Sequence, residues 1–148
     1  MLVTARLAMV GLPHLRHALA GALFGKASSA VPATCRAGAP LAGVNYPGRL
    51  AVHARCVSAV GHVAFVLHAP DGDIHISLLP DRGYWNLLDR RNYAEQGGML
   101  VVEIVPADQA TVPVPIIGAH VRVTGTYVTD LDHGWRELHP VWQITSVS

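Results

Sequence analysis

The chain has 148 residues, 51% of them hydrophobic and 14% charged, with a net charge of +1. That length suits one domain with a single core, and that apolar content excludes disorder of the whole chain. The charge is unevenly placed: no acid precedes Asp71, so the first seventy residues carry +6 and the remainder −5.

An acid-free, basic, Ala-rich beginning has the composition of an export segment, because an acid there opposes membrane engagement. Residues 1–30 are read as a signal or targeting segment. In it His14, Arg16 and His17 precede the apolar run Ala18 to Gly25, and small residues lead to a cleavage site after Ala30. Nucleic-acid affinity is the competing reading of the same charge, but the positive residues are thinly spread and lack interleaved aromatics. No stretch approaches the ~18 uninterrupted apolar residues of a spanning helix, so no transmembrane segment is expected.

Residues 31–48, rich in Ala, Gly and Pro, read as an extended linker or arm. The two cysteines, Cys35 and Cys56, follow the expected cleavage site, and a single pair in an exported chain favours a disulfide. Their spacing is not Cys-x-x-Cys, so neither a redox centre nor a zinc knuckle is indicated.

The fold proper is expected over 49–148. Residues 51–59 and 62–68 read as two strands separated by Val60-Gly61, and Asp71-Gly72 marks a turn before a third over 73–79. Residues 86–94 form the one helix-like piece, closed by Gly97-Gly98. The dense apolar run over 99–105 suits a buried strand, and the Pro-rich 112–115 must be extended. Residues 120–130 and 135–147 make a final hairpin around Asp132-His133-Gly134. Strand, strand, strand, helix, strand, strand is an OB-type order, here with one strand added. The expected class is therefore all-β with one short helix, an OB-fold-like barrel of five to six strands.

Gly118 to Tyr127 resembles the Gly-x-x-Val-x-Val-x-Gly start of the fourth strand of OB-fold domains. Together with His133-Gly134-Trp135-Arg136-Glu137-Leu138-His139-Pro140, it makes the region from about Cys35 to Ser148 similar to a group of small OB-like domains in exported bacterial proteins, mostly of unassigned function. The resemblance implies a fold and a periplasmic or extracellular location, and no catalytic residues.

The chemistry concentrates in the closing hairpin. Strand alternation after Trp135 puts Glu137, His139, Val141 and Gln143 on one face and Arg136, Leu138 and Trp142 on the other. Asp132, His133, Glu137 and His139 are the candidate metal ligands, with His75 able to join from another strand and zinc, or another divalent ion, the default for such donors. A bonded hairpin without a metal is the alternative. Asp71-Gly72-Asp73-Ile74-His75 loosely resembles the Asp-Gly-Asp turn of thermonuclease-like OB barrels, whose carboxylates hold calcium near a phosphate, although Arg82, Arg90 and Arg91 match no supporting spacing. Tyr84-Trp85 is a further aromatic patch.

No Walker loop, dinucleotide fingerprint, Gly-x-Ser-x-Gly elbow or His-Glu-x-x-His occurs. The expectation is a non-enzymatic binding module whose ligand meets His75, Trp135, Glu137 and His139, with Tyr84 and Trp85 as further contacts. With seven arginines, no lysine and ten acids, residues 49–148 carry −3, which opposes polyanion binding and favours a small polar molecule, a glycan, a metal ion or a protein partner. A nuclease-like, metal-dependent hydrolase is the alternative function.

Overall fold

A computed structural model describes residues 34–148, so the expected signal segment and the first residues of the arm lie outside the described residues. The structure is mostly β: one sheet of five strands, β1 (Leu50–His68), β2 (Ile74–Pro80), β3 (Leu100–Ile104), β4 (His120–Asp130) and β5 (Arg136–Ser146), with one short helix, α1 (Arg90–Glu95). Pairing runs β1-β2-β3-β5-β4 and returns to β1, so the sheet closes on itself. Every neighbouring pair is antiparallel except β3 with β5, where Val101 and Val102 lie opposite Glu137 and Leu138.

The two strands expected over 51–59 and 62–68 are one. Gly61 is no turn: it pairs with Pro80 on one side and Val121 on the other, at the point where β1 leaves β4 and takes up β2. A Cβ there would sit 2.8 Å from Pro80 Cα and closer still to the Leu79 carbonyl, so the missing side chain is what lets the strand pass. Register shifts at Val52/Ala54, Ala54/Val57 and Val63/Phe65 bend β1 around the closed sheet. Merging these runs leaves five strands and puts the helix after the second strand, where the sequence order had it after the third.

Alternation builds the core. Ile74, Ile76 and Leu78 of β2 and Leu100, Val102 and Ile104 of β3 point inward, where they meet Val121, Val123, Leu138, Val141 and Ile144. His75, Ser77, Val101 and Glu103 consequently take the outer face.

A 3-10 turn over Arg82–Leu87 precedes α1, a shorter helix than the one expected over 86–94. The Asp89 carboxylate accepts from Arg91 N and Asn92 N, and the Asn92 side chain accepts from Asp89 N, which closes a capping box. Asn92 is wholly buried. Its amide donates to Met99 O (3.0 Å) and Arg136 O (2.9 Å) and accepts from Arg136 N (2.9 Å), pinning the helix to the start of β5.

The described part of the arm preceding β1 is tied to the sheet near its start. The Cys35–Cys56 disulfide is formed, the Trp142 indole donates to Thr34 O (2.7 Å), and Arg36 grips both oxygens of Asp108 at 2.8 Å.

Candidate functional site

The final hairpin turn is organised by Asp130, which is buried. Its carboxylate accepts from Asp132 N (2.8 Å) and His133 N (3.3 Å), contacts His133 Nδ1 (2.8 Å) and pairs with Arg49. Burial alone would raise its pKa, but those hydrogen bonds and the guanidinium prevail and hold it below the ordinary value. Gly134, at φ 87°, closes the turn, and the His133 ring then lies flat against Trp135 with centroids 4.3 Å apart. Beneath the indole, Trp135 Nε1 donates to Glu137 Oε2 at 3.3 Å, and Glu137 Oε1 faces His139 Nδ1 at 3.3 Å.

Glu137 and His139 share a face, as alternation requires, but the pattern breaks immediately after them. Gly125 pairs with Val141 and Tyr127 with Leu138, so β5 carries one residue more than β4 at His139-Pro140. Val141 therefore joins Leu138 and Ile144 in the core, and does not follow Glu137 and His139 to the outer face. On that outer face β5 lies beside β3, and Glu103 of β3 and Asp73 of the turn before β2 converge on the imidazole: His139 Nδ1 is 3.0 Å from Glu103 Oε2, and His139 Nε2 is 3.5 Å from Asp73 Oδ2. His75 Nε2 reaches Glu103 Oε1 at 3.4 Å. Asp73, Glu103, Glu137 and His139 are all buried, with three acids around one imidazole.

The protonation pattern follows from this crowding. Burial and the negative charges of Asp71 and Glu103 push Asp73 up to about 6 against the pull of His139. Burial disfavours a charged imidazole, yet Glu103 and Glu137 outweigh it and hold His139 up at about 9. Burial likewise raises Glu137, whereas at Glu103 the adjoining His139, His75 and Arg49 reverse the effect of burial and lower it.

Two adjoining cavities open over this cluster between the β1–β2 turn and the β4–β5 turn. One, about 190 Å3, is lined by Arg49, Asp71, His75, Glu103, Asp130 and Asp132 together with the aromatic pair. The other, about 360 Å3, has Phe65, Leu67, Ser77 and Val101 on its walls. His75, His133 and Trp135 belong to both, so the two form one groove with an acidic end and an apolar end.

Of the residues expected to meet a ligand, His75 and Trp135 line the groove, while Glu137, which accepts from the Trp135 indole, and His139 are fully buried and do not line it. Tyr84 and Trp85 lie apart. Tyr84 packs against the core, and Trp85 donates to Pro80 O with Arg82 over its ring. The four residues expected to hold a metal do not converge: Asp132 and His133 are exposed turn residues, and His133 is engaged by Asp130. Side chains placed to share an ion among the described residues are instead Asp73, Glu103 and His139, whose donor atoms lie within 4.8 Å of one another, along with Asp71-Asp73-His75 and the more exposed His62-Asp81-His120. Glu103 escaped the sequence reading inside the apolar run Val101-Val102-Glu103-Ile104-Val105. The signal was present, since a lone acid in such a run has to be buried with partners.

No family model, curated protein or solved structure matches this chain.

Proposed function

We propose that the protein is an exported, non-enzymatic OB-like binding module that holds a small polar ligand, a glycan ring by preference, in the groove against Trp135. The observation that carries this is the placement of the stacked His133–Trp135 pair at the junction of an acidic cavity and an apolar one. A sugar offers an apolar face to aromatic and aliphatic walls and hydroxyl donors to carboxylates such as Asp71 and Asp132. A polyanion would meet those acids unfavourably.

The OB assignment is supported by the closed order β1-β2-β3-β5-β4 and by the groove's position over strands two and three between the first and last hairpin turns, which is where OB barrels take their ligands. The helix between β2 and β3 departs from the order expected of such barrels. Export is supported by the disulfide, a bond that persists in oxidising compartments. No helix among the described residues is long and apolar enough to cross a membrane. The hydrolase alternative has less support: Arg82, Arg90 and Arg91 are exposed on the 3-10 turn and α1 and do not line the groove, and the arginine that does, Arg49, is paired with Asp130.

The test is an NMR titration of the Trp135 indole Nε1–H with a panel of neutral oligosaccharides and a single-stranded oligonucleotide. A saturable shift with a saccharide, abolished in the groove resonances of Trp135→Ala, is expected. A shift with the oligonucleotide only, or with none of the panel, overturns the glycan reading.

A further inference from the structure

Among the described residues, the five buried side-chain polar atoms that make no hydrogen bond are Asp73 Oδ1 and Oδ2, His75 Nε2, Glu103 Oε2 and His139 Nε2. They sit in one place. Buried polar atoms are ordinarily paired, and buried carboxylates are paired or coordinate a metal, so five orphans on four converging residues require a common cause. Glu103 Oε2 lies 3.0 Å from His139 Nδ1 but out of line for a hydrogen bond, because that nitrogen is directed at Glu137.

We infer that Asp73, Glu103 and His139 bind one divalent transition-metal ion, zinc by donor chemistry, at the floor of the groove, with His75, which lies near both Glu103 and Asp73, as the fourth ligand. Two further observations support the site. Donors 2.0–2.2 Å from a tetrahedral ion stand roughly 3.3–3.6 Å apart. His139 Nε2 to Asp73 Oδ2 is 3.5 Å and His75 Nε2 to Glu103 Oε1 is 3.4 Å. Two imidazoles with two carboxylates form a borderline donor set that suits zinc and its neighbours and is poor for calcium or magnesium, and the two carboxylates balance a dication.

The surroundings are also those of a metal-bound histidine. Such an imidazole commonly donates its other N–H to a carboxylate, which fixes its tautomer and orientation. Here Glu137 Oε1 faces His139 Nδ1 at 3.3 Å, leaving Nε2 toward the ion, and Glu137 is itself held by the Trp135 indole at 3.3 Å. Glu137 is thus a positioning residue. The cavity of about 190 Å3, which reaches His75 and Glu103, supplies a way in. This site stands independently of the ligand proposed for the groove above it.

The test uses the full chain without a histidine tag, stripped with a chelator and titrated with zinc and with cobalt. One equivalent per chain is expected, with cobalt giving the strong visible absorption of a four-coordinate site. Asp73→Asn and His139→Gln should each weaken zinc binding by roughly 100-fold or more, and Glu137→Gln by about 10- to 100-fold with the fold intact. His120→Ala in the surface set should leave it unchanged. Folded wild-type protein that takes up neither ion, or zinc uptake that survives in both Asp73→Asn and His139→Gln, overturns the site. Where those variants fail to fold, histidine 15N shifts in the wild-type protein decide: zinc-induced shifts at Nε2 of His75 and His139 support the site, and shifts confined to His62 and His120 sink it.

Discussion

Asp130 and Arg49 are where residue chemistry and fold stability meet most directly. The carboxylate accepts two backbone N–H groups and faces both a guanidinium and an imidazole, so the β4–β5 turn that presents Trp135 depends on one buried charge. Truncating it leaves Arg49 with only the more distant Glu103, at 4.0 Å, and the turn amides unmet. Asp130→Ala is expected to lower the unfolding free energy by about 3–5 kcal/mol, read by denaturant titration. Asp130→Asn separates the charge from the shape. Because the folded pKa of Asp130 lies below its ordinary 3.8, the unfolded chain takes up the proton more readily. Its stabilisation is full above the ordinary value and is lost as pH falls through the folded one. The stability gap between wild type and Asp130→Asn should therefore close as pH falls below about 5. A gap that widens below that pH would refute this account of the turn.

Elements were legible in the sequence wherever side-chain period alone decided them. The alternation of β2 and the final hairpin was readable, and so was the Gly97-Gly98 stop, where both glycines adopt positive φ. Two features were not. Val60-Gly61 has the composition of a turn, and only the neighbour, β2, shows that the glycine serves close passage. The extra residue at His139-Pro140 takes Val141 out of the series of Glu137 and His139 and turns it inward with Leu138, which depends on register with β4 and leaves no mark in local composition. The candidate site was legible in the same measure. Glu137 and His139 were readable as a pair, but their partners, Glu103 on β3 and Asp73 just before β2, are brought alongside only by the pairing of β2 with β3 and of β3 with β5. The role given to Gly61 is open to measurement. Gly61→Ala should cost about 1–3 kcal/mol by overpacking against Leu79 and Pro80. Gly83→Ala, where nothing lies within 4 Å of the added carbon, should change stability by less than about 0.5 kcal/mol. Equal effects at the two positions would remove the steric explanation for the undivided β1.

At the scale of the whole molecule, the arm and the groove are separable, and this decides what the disulfide contributes. The bond joins Cys35 to Cys56 across 21 positions, so reducing it frees a loop of moderate length in the unfolded chain, worth about 3 kcal/mol on the chain-entropy account. In the folded state the arm keeps other anchors: Arg36 on Asp108, the Trp142 indole on Thr34 O, and the Thr126 hydroxyl donating to Pro40 O at 2.6 Å. Among the described residues, the groove draws none from the arm. The double variant Cys35→Ser/Cys56→Ser should therefore unfold at lower denaturant, having lost about 3 kcal/mol, while its native NMR spectrum around Trp135 and its response to groove ligands stay those of the wild type. The same loss should follow from reducing agent added to the wild-type protein and be absent when it is added to the variant. If removing the bond also displaced the Trp135 resonance, the arm would be part of the binding machinery, and the division between a tethered arm and an independent groove would have to be given up.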